Sequence, residues 1–166
     1  MRKPLSPFAV GGGQESGQRP GTENVAGAHA FAESSGKATE SLEKHIVQAL
    51  ELERILLEGL ASIPGARVLP EGRMPGDRRY SPYIVSIAFP GLSGQAMVRI
   101  LDEAGVYVSE GSACSGPGAS RRVLEAMGVD AALARCSVRV STGYTSTEAD
   151  IAAFLEHAAR AYARYA

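Results

Sequence analysis

The residue type best able to do covalent chemistry in this chain is Cys114. It lies in Val108-Ser109-Glu110-Gly111-Ser112-Ala113-Cys114-Ser115-Gly116-Pro117-Gly118, among neighbours too small to shield its sulfur. That setting predicts an accessible loop on which a thiolate attacks a partner or carries one. Reactivity follows the thiolate fraction. The three histidines, His29, His45 and His157, are distant in sequence, so a Cys–His pair would have to come from the fold. A helix starting near Ser120 is a second source of a lowered thiol pKa if the loop folds back onto it. The plain alternative is a fortuitous surface cysteine. Cys136, in Ala134-Arg135-Cys136-Ser137-Val138-Arg139-Val140, reads as part of a strand and as a small buried hydrophobe.

Arg139 sits between Val138 and Val140, so on a strand it faces opposite to both. Two environments satisfy that geometry. One is solvent, the common case for arginine. The other is a site in which the planar fork holds a carboxylate. A third candidate is the glycine-rich stretch from Gly11 to Asn24. Gly21-Thr22 at a helix start suits an anion, because free N–H groups, a hydroxyl and the helix dipole converge there. Arg19 adds a bidentate donor. The alternative is a flexible linker with an ordinary N-cap. The histidines have no metal-ligand spacing, and the cysteines form no CxxC pair, so no metal site is expected.

The elements that must position these groups follow from periodicity. Residues 1–21 carry no period and are rich in Gly and Pro. Thr22 or Asn24 is expected to cap a helix through Val25–Ala32, broken by Ser34-Ser35-Gly36. Thr39 is expected to cap a second helix whose stripe is Leu42, Ile46, Ala49, Leu50, Leu56, Leu57 and Leu60. Strands are expected at Ala66–Leu69, Tyr83–Phe89, Val106–Val108 and Cys136–Ser141, with a polar loop over Gly72–Arg79. Helices follow Ser93, Ser120 and Thr147. The expected organisation is a loop over 1–21, connecting helices over 22–65, and an α/β (α+β) domain over 66–166, its small sheet covered by helices.

A net charge of −1 gives no electrostatic case for nucleic acid or an anionic membrane. No apolar run approaches the ~18 residues of a membrane helix. The N-terminus lacks a signal-peptide pattern, so a cytoplasmic location with reduced cysteines is expected.

Three segments, in order, resemble NifS/IscS-type cysteine desulfurases, class-V aminotransferase-like enzymes of PLP fold type I. They are GGGQESGQRPGTENVAGAHAFAE, SPYIVSIAFPGLSGQAMVRILDEAGVYVSEGSACSG and CSVRVSTGYTSTEADI. The resemblance covers nearly the whole chain from about Gly11 and is to the C-terminal half of that family. It implies that Cys114 is the nucleophile that takes sulfur from L-cysteine as a persulfide, leaving L-alanine. It implies that Arg139 binds the substrate carboxylate. Thr22 resembles the residue that reaches the pyridoxal phosphate of the neighbouring subunit in a homodimer. An iron–sulfur scaffold or a tRNA-thiolation protein is the implied sulfur acceptor.

One departure stands out. The family's imine-forming lysine, its ring-stacking histidine and its pyridinium-pairing aspartate belong to a large domain. This chain has only Lys3, Lys37 and Lys44, none in the family's Ser-x-His-Lys type of context. Three expectations remain open. The chain is the C-terminal portion of a desulfurase, inactive alone; or a free-standing sulfur-carrier module; or an inactive remnant.

Overall fold

The computed structural model describes residues 6–111 and 122–166. The chain divides into two compact units, residues 1–42 and 43–166.

In the first unit, a tight turn over Gln14–Gly17 places Glu15 and Ser16 at positive φ. Helix α1 spans Val25–Glu40. Asn24, not Thr22, is its cap, accepting from Gly27 N at 2.9 Å. The expected break at Ser34-Ser35-Gly36 is absent. Each of those residues weakens a helix interior by only about 0.5–1 kcal/mol, and Gly36 does not adopt the positive φ of a terminating glycine. Thr39 is likewise not a cap: its hydroxyl lies inside α1 and donates to Ser35 O at 2.8 Å. No residue of α1 is buried, and Val25 and Phe31 are exposed.

The second unit is built on a three-stranded antiparallel sheet, β1 (Arg67–Leu69), β2 (Ile84–Ala88) and β3 (Ser137–Ser141), in the order β1-β2-β3. The register pairs Val68 with Ile87, Ile87 with Val138, and Val85 with Val140. These side chains share one face. They join Leu52, Leu56 and Leu60 of α2 (Leu42–Leu60), Met97 and Leu101 of α3 (Gly94–Glu103), and Ile151, Phe154 and Ala158 of α6 (Glu148–Tyr165) in a single core. Each large side chain taken from water there contributes about 1.5–3 kcal/mol.

Two expected features of this unit are corrected. On α2 the buried face is Ala49, Leu52, Glu53, Leu56 and Leu60, while Leu42, Ile46 and Leu50 are exposed. The helix carries apolar residues on more than one face, and the sheet, not the period, selects which is covered. The loop after β1 is not simply polar surface, because Arg73 is buried against Glu53, their side chains 3% and 1% exposed. Arg73 Nε and Nη2 donate to Glu53 Oε1 at 3.1 and 2.5 Å, and Gly76 N donates to Oε2 at 3.0 Å. Arg73 also donates to the carbonyls of Ser81 and Ile84, each at 2.8 Å. The pair is desolvated but fully bonded, the condition under which a buried charge pair is tolerated.

α3 lies directly on β3. A Cβ added at Gly94 would stand 2.2 Å from the Ser137 carbonyl oxygen, so glycine is required by close approach rather than by φ. Ser93 caps α3 as expected, accepting from Ala96 N at 3.2 Å. α4 covers Arg122–Ala126. An unexpected helix, α5 (Ala131–Arg135), is capped by Asp130, which accepts from the amides of Ala132 and Leu133. Cys136 therefore ends α5 rather than opening β3, and it is half-buried rather than fully enclosed. α6 starts with the expected Thr147, which forms a reciprocal capping box with Asp150. Among the described residues no helix is long and apolar enough to cross a membrane.

Candidate functional site

β3 presents Arg139 on the face opposite the core. Val138 and Val140 are 1% and 6% exposed on the core side, while Arg139 is half-buried on the other. Its cross-strand neighbour on β2 is Ser86. Arg139 thus leaves the core, as its place between two valines predicts, but is not fully solvated. Among the described residues its guanidinium forms no ion pair, and its one side-chain bond is from Nη2 to Ser109 Oγ at 3.4 Å. A half-buried guanidinium with one side-chain bond among the described residues suits a carboxylate, which can take two parallel N–H bonds.

The other edge of β3 carries the approach to the cysteine segment. Val106–Val108 does not form the expected strand. Instead Val106 N donates to Leu101 O at 2.9 Å, closing α3 over Gly105 at positive φ, and only Ser109 joins the sheet, as an isolated bridge to Arg139. The bridge is reciprocal: Arg139 N donates to Ser109 O at 2.6 Å, and Ser109 N to Arg139 O at 3.2 Å. Residues directly opposite in such a pair project to the same face. Ser109 Oγ donates to Gly111 O at 2.7 Å and accepts from Gly111 N at 3.2 Å. Gly111 has φ 150°, a conformation open to glycine. Cys114 and Ser120 lie outside the described residues.

A cleft of about 260 Å³ lies beside this edge, lined by Gly105–Val108, Val140–Thr142, Ser146, Asp150, Ile151, Ala153 and Phe154; neither Arg139 nor Ser109 lines it. Thr142 Oγ1, on its wall, is buried and has no hydrogen-bond partner among the described residues. Among the described residues no group of His, Cys, Asp and Glu is arranged to hold a metal ion.

In the first unit Thr22 is exposed in the turn before α1, preceded by Gly21 at φ 95°. Arg19 Nη1 donates to the carbonyls of Pro20, Gly21 and Thr22 at 3.3, 3.2 and 2.9 Å, and Nη2 reaches Glu15 at 3.4 Å. Arg19 thus braces the turn that carries the exposed Thr22.

Residues 5–154 match the family model described as Aminotransferase class-V. The chain belongs to this family. The match takes in Thr22, Cys114 and Arg139. Within the class-V family, the chain is 39% identical over 163 residues to an IscS-like cysteine desulfurase of Mycobacterium tuberculosis, covering 95% of this chain and 40% of that protein. It is 38% identical over 156 residues to a cysteine desulfurase of Cereibacter sphaeroides, covering 92% and 38%. A NifS-like protein of Rickettsia africae superposes with a TM-score of 0.78 at 28% identity, covering 97% of this chain and 41% of that one. A second NifS-like structure gives 0.74 at 31% identity, covering 95% and 38%. The chain thus spans about 40% of the length of the curated relatives it matches. Its small antiparallel sheet with covering helices is consistent with the C-terminal portion of a fold-type I enzyme, as expected.

Class-V members of the desulfurase type use pyridoxal phosphate, whose phosphate is bound by N–H and hydroxyl donors. Thr22 offers an exposed hydroxyl after a positive-φ glycine. An imine-forming lysine needs an enclosed setting that lowers its pKa. Lys37 and Lys44 are both exposed, on α1 and α2, and Lys3 lies outside the described residues.

The sequence carries no signal for the roles of Ser109 or of the buried Glu53–Arg73 pair. A serine beside an alternating Val-Tyr-Val run carries no signal for its cross-strand partner. Arg73 sits in a run of loop residues whose composition predicts solvent.

Proposed function

We propose that this chain is the portion of a cysteine desulfurase that supplies the sulfur-accepting thiol, Cys114, and the carboxylate-binding guanidinium, Arg139. The observation that supports this reading most is the half-buried Arg139, without a counter-ion among the described residues, bonded to Ser109 at the root of the segment that carries Cys114.

Arg139 holds the carboxylate of L-cysteine. The Cys114 thiolate attacks the substrate sulfur and an S–S bond forms. The substrate C–S bond breaks, its electron pair stays with carbon, and a proton taken up there completes L-alanine. Cys114 keeps the sulfur as a persulfide and passes it to an acceptor thiol by the same exchange chemistry. Pyridoxal phosphate, when bound, supplies the electron withdrawal that makes the C–S bond breakable. Thr22 contacts its phosphate across a homodimer. Residues 1–21, 22–65 and 66–166 act as the glycine-rich approach, the connecting helices and the small domain. The acceptor is an iron–sulfur scaffold or a thiolation protein, and the setting is the cytoplasm, where these thiols stay reduced.

The test is L-alanine release from L-cysteine and pyridoxal phosphate, by the chain alone and by the chain joined to a lysine-bearing class-V N-terminal portion. The proposal expects release only from the joined protein, lost in Cys114→Ser and Arg139→Gln. Turnover by the chain alone, with imine absorbance, overturns the division of labour. A joined protein that binds cofactor but releases no alanine, while Cys114 still takes sulfur from a persulfide donor, favours the free-standing sulfur carrier.

A further inference from the structure

We infer that Ser109 is a positioning residue for Arg139: its hydroxyl orients the guanidinium toward the substrate carboxylate without neutralising it. This rests on the reading of Arg139 as the carboxylate-binding group.

The hydroxyl has one proton, and that proton is committed to Gly111 O at 2.7 Å. Its lone pairs therefore face outward, one toward Gly111 N at 3.2 Å and one toward Arg139 Nη2 at 3.4 Å. Ser109 is thus fixed as an acceptor toward the arginine. The reciprocal backbone bridge, at 2.6 and 3.2 Å, sets both side chains on one face and keeps them in reach of each other. A guanidinium has five N–H donors. Among the described residues one is held by Ser109, and the fork keeps N–H donors for a carboxylate through two parallel bonds. The neutral acceptor matters. A carboxylate at position 109 would orient the same fork but would occupy it and cancel its charge. Serine restrains a long, flexible side chain and leaves the positive charge for the ligand.

The test uses the 166-residue chain labelled with ¹⁵N-arginine. The Arg139 Nε–Hε signal is assigned by its loss in Arg139→Lys and followed with and without L-alanine. In Ser109→Ala the ligand-free signal is expected to move and broaden, and the L-alanine affinity to fall severalfold. Ser109→Thr, which keeps the hydroxyl, should restore both. Ser109→Asp should leave the signal unresponsive to L-alanine. Backbone amide exchange at Ser109 and Arg139 should match the wild type in the alanine variant, separating lost orientation from lost fold. An alanine-responsive Arg139 signal that Ser109→Ala does not change overturns the role of Ser109 alone. A wild-type Arg139 signal that ignores L-alanine both in the chain alone and in the chain joined to the lysine-bearing portion overturns the carboxylate reading, and the purpose assigned to Ser109 with it, whether or not it moves in Ser109→Ala.

Discussion

Ser109 and Arg139 are tied together twice, by a reciprocal backbone bridge at 2.6 and 3.2 Å and by a side-chain bond at 3.4 Å. The residue that would hold the substrate carboxylate is therefore coupled to the residue five positions before the candidate nucleophile. The backbone bonds survive any change of the arginine side chain. Arg139→Gln is expected to alter stability by less than about 1 kcal/mol, measured by urea unfolding, while abolishing the response to carboxylates. A large loss of stability would mean that Arg139 is chiefly structural.

The Glu53–Arg73 pair makes the loop after β1 part of the folded unit. Removing one partner strands the other as a buried charge, which costs about 3–5 kcal/mol. Glu53→Leu and Arg73→Met should each destabilise by that order in urea unfolding. The double variant should lose clearly less than their sum, because neither charge is then stranded. Strict additivity would contradict the pair's isolation from water.

At Gly94 the helix and strand touch backbone to backbone. Gly94→Ala places its Cβ 2.2 Å from the Ser137 carbonyl oxygen, so α3 or β3 must shift. The expected cost is about 1–3 kcal/mol, the range for overpacking a core. β3 carries Arg139, so amide shifts along Ser137–Ser141 should accompany the loss. A neutral variant would mean that α3 has slack against the sheet.

Local signals in the sequence were strong where one residue decides the outcome. Ser93 and Thr147 cap helices as read, because capping depends on residues three positions apart. β2 and β3 were legible from β-branched runs flanking turns. The rest depends on tertiary partners. The buried stripe of α2 is not legible in the sequence, because Leu50 and Leu52 are equally apolar and only the sheet distinguishes them. α1 continues through Gly36, against the local signal, because a weak breaker is outvoted by its helical neighbours. Of the candidate site, Arg139 was legible as a residue facing away from two valines, but its half-buried setting and the Ser109 contact come from a pairing thirty positions apart.

Asp150 makes the start of α6 sensitive to acid. The Thr147 backbone amide, then the Thr147 hydroxyl, both donate to its carboxylate and hold its pKa below the usual 3.8. A depressed folded-state pKa contributes stability that is present above the unfolded value and lost as pH falls through the folded one. Asp150→Asn should flatten that part of the acid limb, below about pH 3.8, in a stability–pH curve. A carboxyl titration of Asp150 at or above the ordinary value would contradict the capping box.

The central claim, that Cys114 is the sulfur-accepting thiol, is tested most directly by peptide mass spectrometry after exposure to a limiting cysteine-persulfide donor. Cys136, half-buried at the end of α5, is an internal reference thiol. The account predicts one added, reductant-labile sulfur on the Cys114 peptide, persisting in Cys136→Ser and lost in Cys114→Ser. Equal labelling of both cysteines, or labelling of Cys136 alone, would contradict it.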